Sequence, residues 1–224
     1  NIKRKIGKYF KAINAAKTRK QSKIAEKQIN VEILIDYKKT DQSHLCLGVR
    51  GYNSNHKDKD ILNILSIILG GNTSSRLCMS VVEKGLAYYI QTSCDNYRET
   101  GYLTTQTSVN NEKCYDAVKL IIKEYKRIKD EKVSVSELQR AKDYVKGQTV
   151  IALESSSSVA NFLAMQEIDN HKILTTDEKF AKIDSVSIED IQRVANEIFV
   201  EKRLNMAIIG PFKSKESFAK ILKL

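Results

Sequence analysis

Apolar positions along this chain change period several times, and each change predicts an element. Ile2, Ile6, Tyr9, Phe10 and Ile13 recur at helical spacing and predict an amphipathic helix at the start. The polar stretch NAAKTRKQSKIAEKQ follows and reads as a linker. The period then drops to two. VEILIDY and HLCLGVRGY predict strands, the second alternating Leu45, Leu47 and Val49 on one face. Residues 58 to 69 are apolar on most sides, through Ile61, Leu62, Ile64, Leu65, Ile67 and Ile68, and predict a helix lying deep against a sheet. GGNTSS ends it, with Thr73 to Ser75 placed to cap a short helix.

LAYYIQTSCD and TGYLTTQTSV predict two more strands, joined by the turn DNYRE. Cys114, Ala117, Val118, Ile121, Ile122, Tyr125 and Ile128 form one helical stripe. Ser134 and Glu137 stand at capping-box spacing before the next helix. ESSSSVANFLAMQEI predicts a third helix, whose serines cap a packed element, and TTDEKFAKI a short one. Ser187 caps SIEDIQRVANEIFV, and RLNMAIIGP closes the chain's core as a strand ended by Gly210 and Pro211. Hairpin pairs separated by helices predict an α+β fold, an antiparallel sheet packed against helices, rather than a doubly wound parallel sheet.

Charge changes the picture only at the start. The net charge is +11, but residues 1 to 29 carry ten Lys or Arg against Glu26 alone, so the remaining residues hold only +2. The basic stretch has no interleaved aromatics and leads into no nucleic-acid motif, so a solvated linker is expected and nucleic acid is not. No apolar run reaches the roughly 18 residues that span a bilayer, so no membrane partner is expected either. Cys46, Cys78, Cys94 and Cys114 show no paired spacing and sit on apolar stripes. Structural thiols in a reducing compartment, and hence a cytoplasmic location, are the expectation.

Candidate chemistry is sparse. His44, His56 and His171 include no pair at metal-ligand helical spacing. Asp58 and Asp60 near His56 offer at most a weak cation loop, without EF-hand spacing. The serine run 155 to 158 has no nucleophile elbow, and Glu83, Glu99 and Glu167 pair only if folding brings them together. No glycine-rich nucleotide motif is present. The residues of this chain compose no complete catalytic site.

Several segments together resemble one family. HLCLGVRGYNSNHKDKDILNILSIILGGNTSSRL, EKGLAYYIQTS and ETGYLTTQTSVNNEK are similar to the C-terminal half of zinc peptidases of the pitrilysin/insulinase group, in its bacterial branch that resembles the mitochondrial processing peptidase. VSVSELQRAKDYVKGQTVIALESS and LNMAIIGPF fit the closing helices and strand of that half, so the resemblance covers roughly residues 30 to 215. It implies one half of a two-half clamshell metallohydrolase. Residues 1–13 would then be the last helix of a preceding N-terminal half, 14–29 a basic linker and 30–224 the C-terminal domain.

The resemblance also implies the chemistry. Zinc is expected on the N-terminal half or on a partner subunit, in an H-x-x-E-H motif that this chain lacks, and no cofactor on this chain. By itself the chain is expected to be inactive. With the other half, in one polypeptide or as a homodimer or heterodimer, it would enclose and bind peptide for zinc-dependent hydrolysis. The alternative is a non-catalytic scaffold or substrate-binding subunit. The family pattern S-R-L-x-x-x-V-R-E-K-x-G-L-A-Y reads here as SRLCMSVVEKGLAYY. Tyr88 falls on the family's tyrosine, which contacts substrate and its oxyanion. The family's arginine falls on Val82, and one residue is missing after Lys84. Arg76 belongs to the S-R-L step and is expected to place a helix. The deletion can turn Tyr89 inward in place of Tyr88; core packing of both rings is the alternative. Thr104, Gln106 and Ser108 share one strand face. Gln106 either lines a peptide chamber or simply faces solvent.

Overall fold

A computed structural model describes residues 1–13, 24–82, 84–170 and 172–224, so Glu83, His171 and most of the basic linker lie outside the described residues. Helix α1 (Ile2–Phe10) carries its apolar positions as expected, and none of its residues is buried. The polar segment after it ends by docking on the main body. Gln28 donates to the Leu204 carbonyl at 2.9 Å, and Asn205 donates to the Gln28 side chain at 3.0 Å. The anchored chain therefore begins slightly before residue 30.

Five strands form one sheet: β1 (Glu32–Tyr37), β2 (Gln42–Arg50), β3 (Tyr89–Asn96), β4 (Gly101–Asn110) and β5 (Leu204–Gly210). Their order is β1-β5-β2-β4-β3. β3 and β4 make the expected hairpin, and β2 pairs antiparallel with both β4 and β5. The first two strands do not pair with each other. β5 inserts between them and runs parallel to β1, Ile33 opposite Met206. Alternation specifies which face a strand buries but not which neighbour it takes, so the last strand's position was not written in its pattern.

Helices cover one face only. They are α2 (Lys59–Gly70), α3 (Cys114–Asp130), α4 (Val135–Ala152), α5 (Ser156–Asn170), α6 (Thr176–Asp184), α7 (Ile188–Ile198) and α8 (Glu216–Ile221). α2 is buried as its all-round apolar pattern requires: Leu62, Ile64, Leu65 and Leu69 are fully sealed. Beneath α3, buried hydroxyls satisfy one another. Thr92 and Thr105 stand 2.8 Å apart, Thr105 and Tyr125 2.6 Å apart, and Tyr125 donates to the Leu47 carbonyl at 3.2 Å. That chain ties β3, β4, β2 and α3 together without leaving a polar group unpaired in the core. The Tyr125 ring stacks on Phe199 at 4.4 Å.

Side-chain caps start three helices, two of them, at Ser134 and Ser187, as the sequence predicts. Ser134, Thr175 and Ser187 each accept from the third helical N–H, with Glu137, Glu178 and Asp190 reaching back. Ser155 caps α5 in the same way, accepting from the Ser158 N–H at 3.0 Å. The expected packing of α5 does not follow, because no described side chain on it is buried. Its apolar residues Val159, Leu163, Met165 and Ile168 are spread around the helix instead of along one stripe. No helix among the described residues is long and apolar enough to cross a membrane.

Candidate functional site

The face of the sheet that no helix covers is built from the off-phase positions of the same strands. Register places them in rows: Asp36, Ile209, His44, Ser108 and Tyr89 in one, then Leu34, Ala207, Cys46, Gln106 and Gln91 in the next. A further row holds Glu32, Asn205, Gly48, Thr104 and Ser93. Small residues at the centre hollow the surface. A Cβ at Gly48 would stand 2.6 Å from the Leu103 carbonyl oxygen, so no larger residue fits that position without a shift of backbone.

Two adjoining grooves result. The larger, about 580 Å³, is floored by Cys46, Gly48 and Ala207 and walled by Arg50, Tyr102, Thr104 and Gln106. The smaller, about 420 Å³, runs past Asp36, His44, Tyr89, Gln106 and Ile209. Both are in the size range of ligand sites, and Leu34, Cys46, Gln106 and Ala207 belong to both. Burial pushes the Cys46 thiol up, against a lesser opposing bond from Thr104, so it lies in the groove as a weak polar group and not as a nucleophile. The Tyr97 and Tyr102 hydroxyls share a hydrogen bond at 3.3 Å, which raises the Tyr102 phenol to about 12.

Tyr89 and Gln106 come together on this face, as two of the sequence-selected residues lining the smaller groove. Tyr88 does not join them. It precedes β3, stands 64% exposed, and donates to the Asn110 side chain at 3.2 Å. The geometry upstream accounts for the difference. Residues Cys78–Val82 form a π-helical turn; the helical bonds open on the Ser75 carbonyl, which accepts the Met79 N–H at 3.0 Å, while the Ser75 hydroxyl donates to the Asn72 carbonyl at 2.6 Å instead of capping. Gly85 ends it with φ +61°, its N–H bonded to the Val82 carbonyl and that of Leu86 to the Val81 carbonyl. This is a Schellman end, which needs a glycine there, and it delivers the chain so that Tyr89 is the first strand residue.

Val82, at the arginine position of the resembling pattern, is 36% exposed and offers no donor. Arg76 cannot replace it. Its guanidinium grips Glu137 at 2.8 and 3.3 Å, joining the turn to the start of α4. Burial pushes the Glu137 carboxyl up, but Arg76 and the Ser134 cap outweigh that and hold it at about 2. Asp58 is likewise engaged, by both Arg193 amines at 2.9 and 3.0 Å, which removes it from any cation loop. Among the described residues no group of three or more His, Cys, Asp or Glu side chains converges as a metal site. The sequence reading missed His44, Arg50 and Tyr102 on the open face. The off-phase positions of the predicted strands carried that signal.

Comparison with known proteins places this architecture. The sequence pattern of the family described as the peptidase M16 inactive domain matches residues 1–145. The zinc protease YmxG of Bacillus subtilis (strain 168) is 30% identical over 86% of this chain and 47% of that protein. The beta subunit of the mitochondrial-processing peptidase of Saccharomyces cerevisiae is 29% identical over 75% of this chain and 39% of its own length. The chain thus spans less than half the length of these relatives. A protease from Helicobacter pylori superposes with a TM-score of 0.79 at 22% identity, over 93% of this chain and 52% of that one. The peptidase M16 inactive domain from Pseudomonas fluorescens gives 0.77 at 18%, over 88% and 47%. An α+β half with one helix-covered and one open sheet face, matched over most of its length, belongs to the peptidase M16 inactive-domain family.

Proposed function

We propose that this chain is the zinc-free half of a metalloendopeptidase, and that its open sheet face is the part that holds the peptide. The observation that carries this reading is the pair of adjoining grooves on that face, with Tyr89 and Gln106 lining the smaller and Gln106 shared by both. Their apolar floor and spaced polar walls suit an extended peptide: backbone groups bond to Gln106 and His44, while side chains cover Leu34, Ala207 and Ile209. Zinc, the water it activates and the base that serves it belong to an N-terminal half or partner subunit. When bound there, zinc supplies a hydroxide nucleophile near neutral pH and polarises the peptide carbonyl. This chain's part is to orient the peptide and exclude water from one side. Tyr89, rather than Tyr88, is the tyrosine placed to donate to substrate.

A second reading, a binding subunit without a part in catalysis, draws on Val82, an apolar residue at the position where the resembling pattern has an arginine. Reconstitution with the zinc-bearing half separates the two. If Tyr89 assists the reaction, Tyr89→Phe lowers kcat by at least tenfold with little change in KM, the size expected for a lost oxyanion donor or somewhat less. A rise in KM alone assigns the face to binding. Full peptide turnover by the zinc-bearing half without this chain would overturn both.

A further inference from the structure

A second cavity lies on the helical side of the sheet and shares no lining residue with the grooves. It is about 350 Å³, between the segment after β2 (Ser54, Asn55, His56, Lys57), the first turn of α2, α5 and α6. Five lysines line it: Lys57, Lys59, Lys172, Lys179 and Lys182. Among its described lining residues the one carboxylate is Asp60. Outside residues 1 to 29 the chain is close to charge-balanced, so this concentration is local and not a reflection of a basic protein.

The surrounding bonds hold the cavity open in this shape. Lys59 donates to the Ser54 carbonyl at 2.5 Å, and the Lys179 ammonium stands over the Phe162 ring at 5.1 Å. Gln166 pairs with the Leu174 backbone through both its amide atoms, at 3.0 and 3.3 Å, fixing the approach of α5 to the strand of chain before α6. His56 stacks on Tyr52 at 3.9 Å and accepts the Asp58 N–H on Nδ1 at 3.1 Å, which leaves Nε2 to carry the ring proton and donate. The start of α2 adds the positive end of a helix dipole. Glu178 lies beside Lys172 and Lys182, but its carboxylate accepts from the Thr175 N–H at 2.8 Å in the α6 cap, and that bond holds its carboxyl below the ordinary range.

Five lysines around one small cavity concentrate positive charge that an anion of high charge density would neutralise. Lysine binds phosphate as a point charge without fixed geometry, so a ring of lysines suits several phosphate oxygens better than one planar carboxylate. We propose that this cavity binds a compact polyphosphate group, free or carried on an organic ester. The adjoining surface of Ala152, Leu153, Phe162 and Met165, which shares Lys59, Gln166 and Lys179 with the cavity, would take the organic part of an ester. The site is separate from the peptide face, and its occupancy is measured without peptidase activity.

Calorimetric titration of the full chain with inorganic tripolyphosphate at low salt tests this. Saturable one-to-one binding is expected, weakened at least tenfold in the triple variant Lys57→Gln, Lys172→Gln, Lys182→Gln. All three side chains are exposed, so the fold should survive. A charge-matched control, Lys39→Gln, Lys126→Gln, Lys223→Gln, should stay within twofold of wild type. Adenosine triphosphate, titrated alongside, sorts the source: binding tighter than tripolyphosphate supports an ester, and equal or weaker binding supports the free anion. Equal weakening in both triple variants would show mere charge attraction and overturn the site. So would the absence of saturable binding, or tighter binding of hexaglutamate than of tripolyphosphate at the same lysines.

Discussion

The two faces of β4 are made from the same ten residues and behave as different materials. Leu103, Thr105, Thr107 and Val109 point to the helices and are at most 1% exposed, with the Thr105 hydroxyl bonded to Thr92 and Tyr125 and that of Thr107 to the Tyr89 carbonyl. Tyr102, Thr104 and Gln106 point the other way, onto grooves with apolar floors. On the covered face of β4 both threonine hydroxyls are answered by other parts of the chain. On the open face Gln106 is exposed, while Tyr102 is bonded to the exposed Tyr97 hydroxyl. If the open face holds peptide as proposed, stability is concentrated on one side and recognition on the other, and single substitutions should separate the two.

The largest effect is expected on the covered side. Leu103→Ala empties a fully buried site and should cost about 2–5 kcal/mol in denaturant unfolding. Next comes the link that carries the turn before Tyr89. Arg76→Ala leaves Glu137 facing a mostly buried site and should cost about 3 kcal/mol near neutral pH. The pH dependence has a definite sign. Glu137 sits at about 2 in the fold against an ordinary 4.5, so its contribution is present above pH 4.5 and lost as pH falls towards 2. In Arg76→Ala the carboxyl returns towards its ordinary value, and acid unfolding curves should lose much of that drop. Ser134→Ala removes one half of the α4 capping box and should cost about 1 kcal/mol in the same assay. Gln106→Ala is expected to be the smallest in stability, within about 0.5 kcal/mol, while raising KM for peptide in the two-half enzyme. A stability loss there as large as at Leu103 would erase the distinction between the faces.

Much of this division was legible in the residues. Period-two alternation in HLCLGVRGY and the all-round apolar run of α2 predicted which side is buried, and Ser134 with Glu137 predicted a cap that forms. The left-handed φ of Gly85 shows why the turn before β3 needs a glycine. The parallel β1–β5 pair was not legible, since strand neighbours are chosen by long-range packing that local patterns do not encode. Nor was the exposure of α5, because a helix sequence does not state how much of its surface its neighbours cover. Tyr88 illustrates a finer limit. The family pattern pointed to it, yet the Gly85 turn delivers Tyr89 to the groove, and only the register of β3 against β4 distinguishes the two. The lysines of the second cavity come from three separate stretches of sequence, around residues 57–59, 172 and 179–182, so their convergence is a property of the fold alone.

The central claim is that peptide lies on the open sheet face, and photocrosslinking tests it most directly. A cleavable peptide carrying a benzophenone side chain would be irradiated on the assembled two-half enzyme, and the crosslinked sites mapped by mass spectrometry. The account predicts crosslinks in residues 42–50, 89–96 and 101–110, reduced when unlabelled peptide competes. Crosslinks concentrated in the covering helices, or none on this half while cleavage continues, would contradict it.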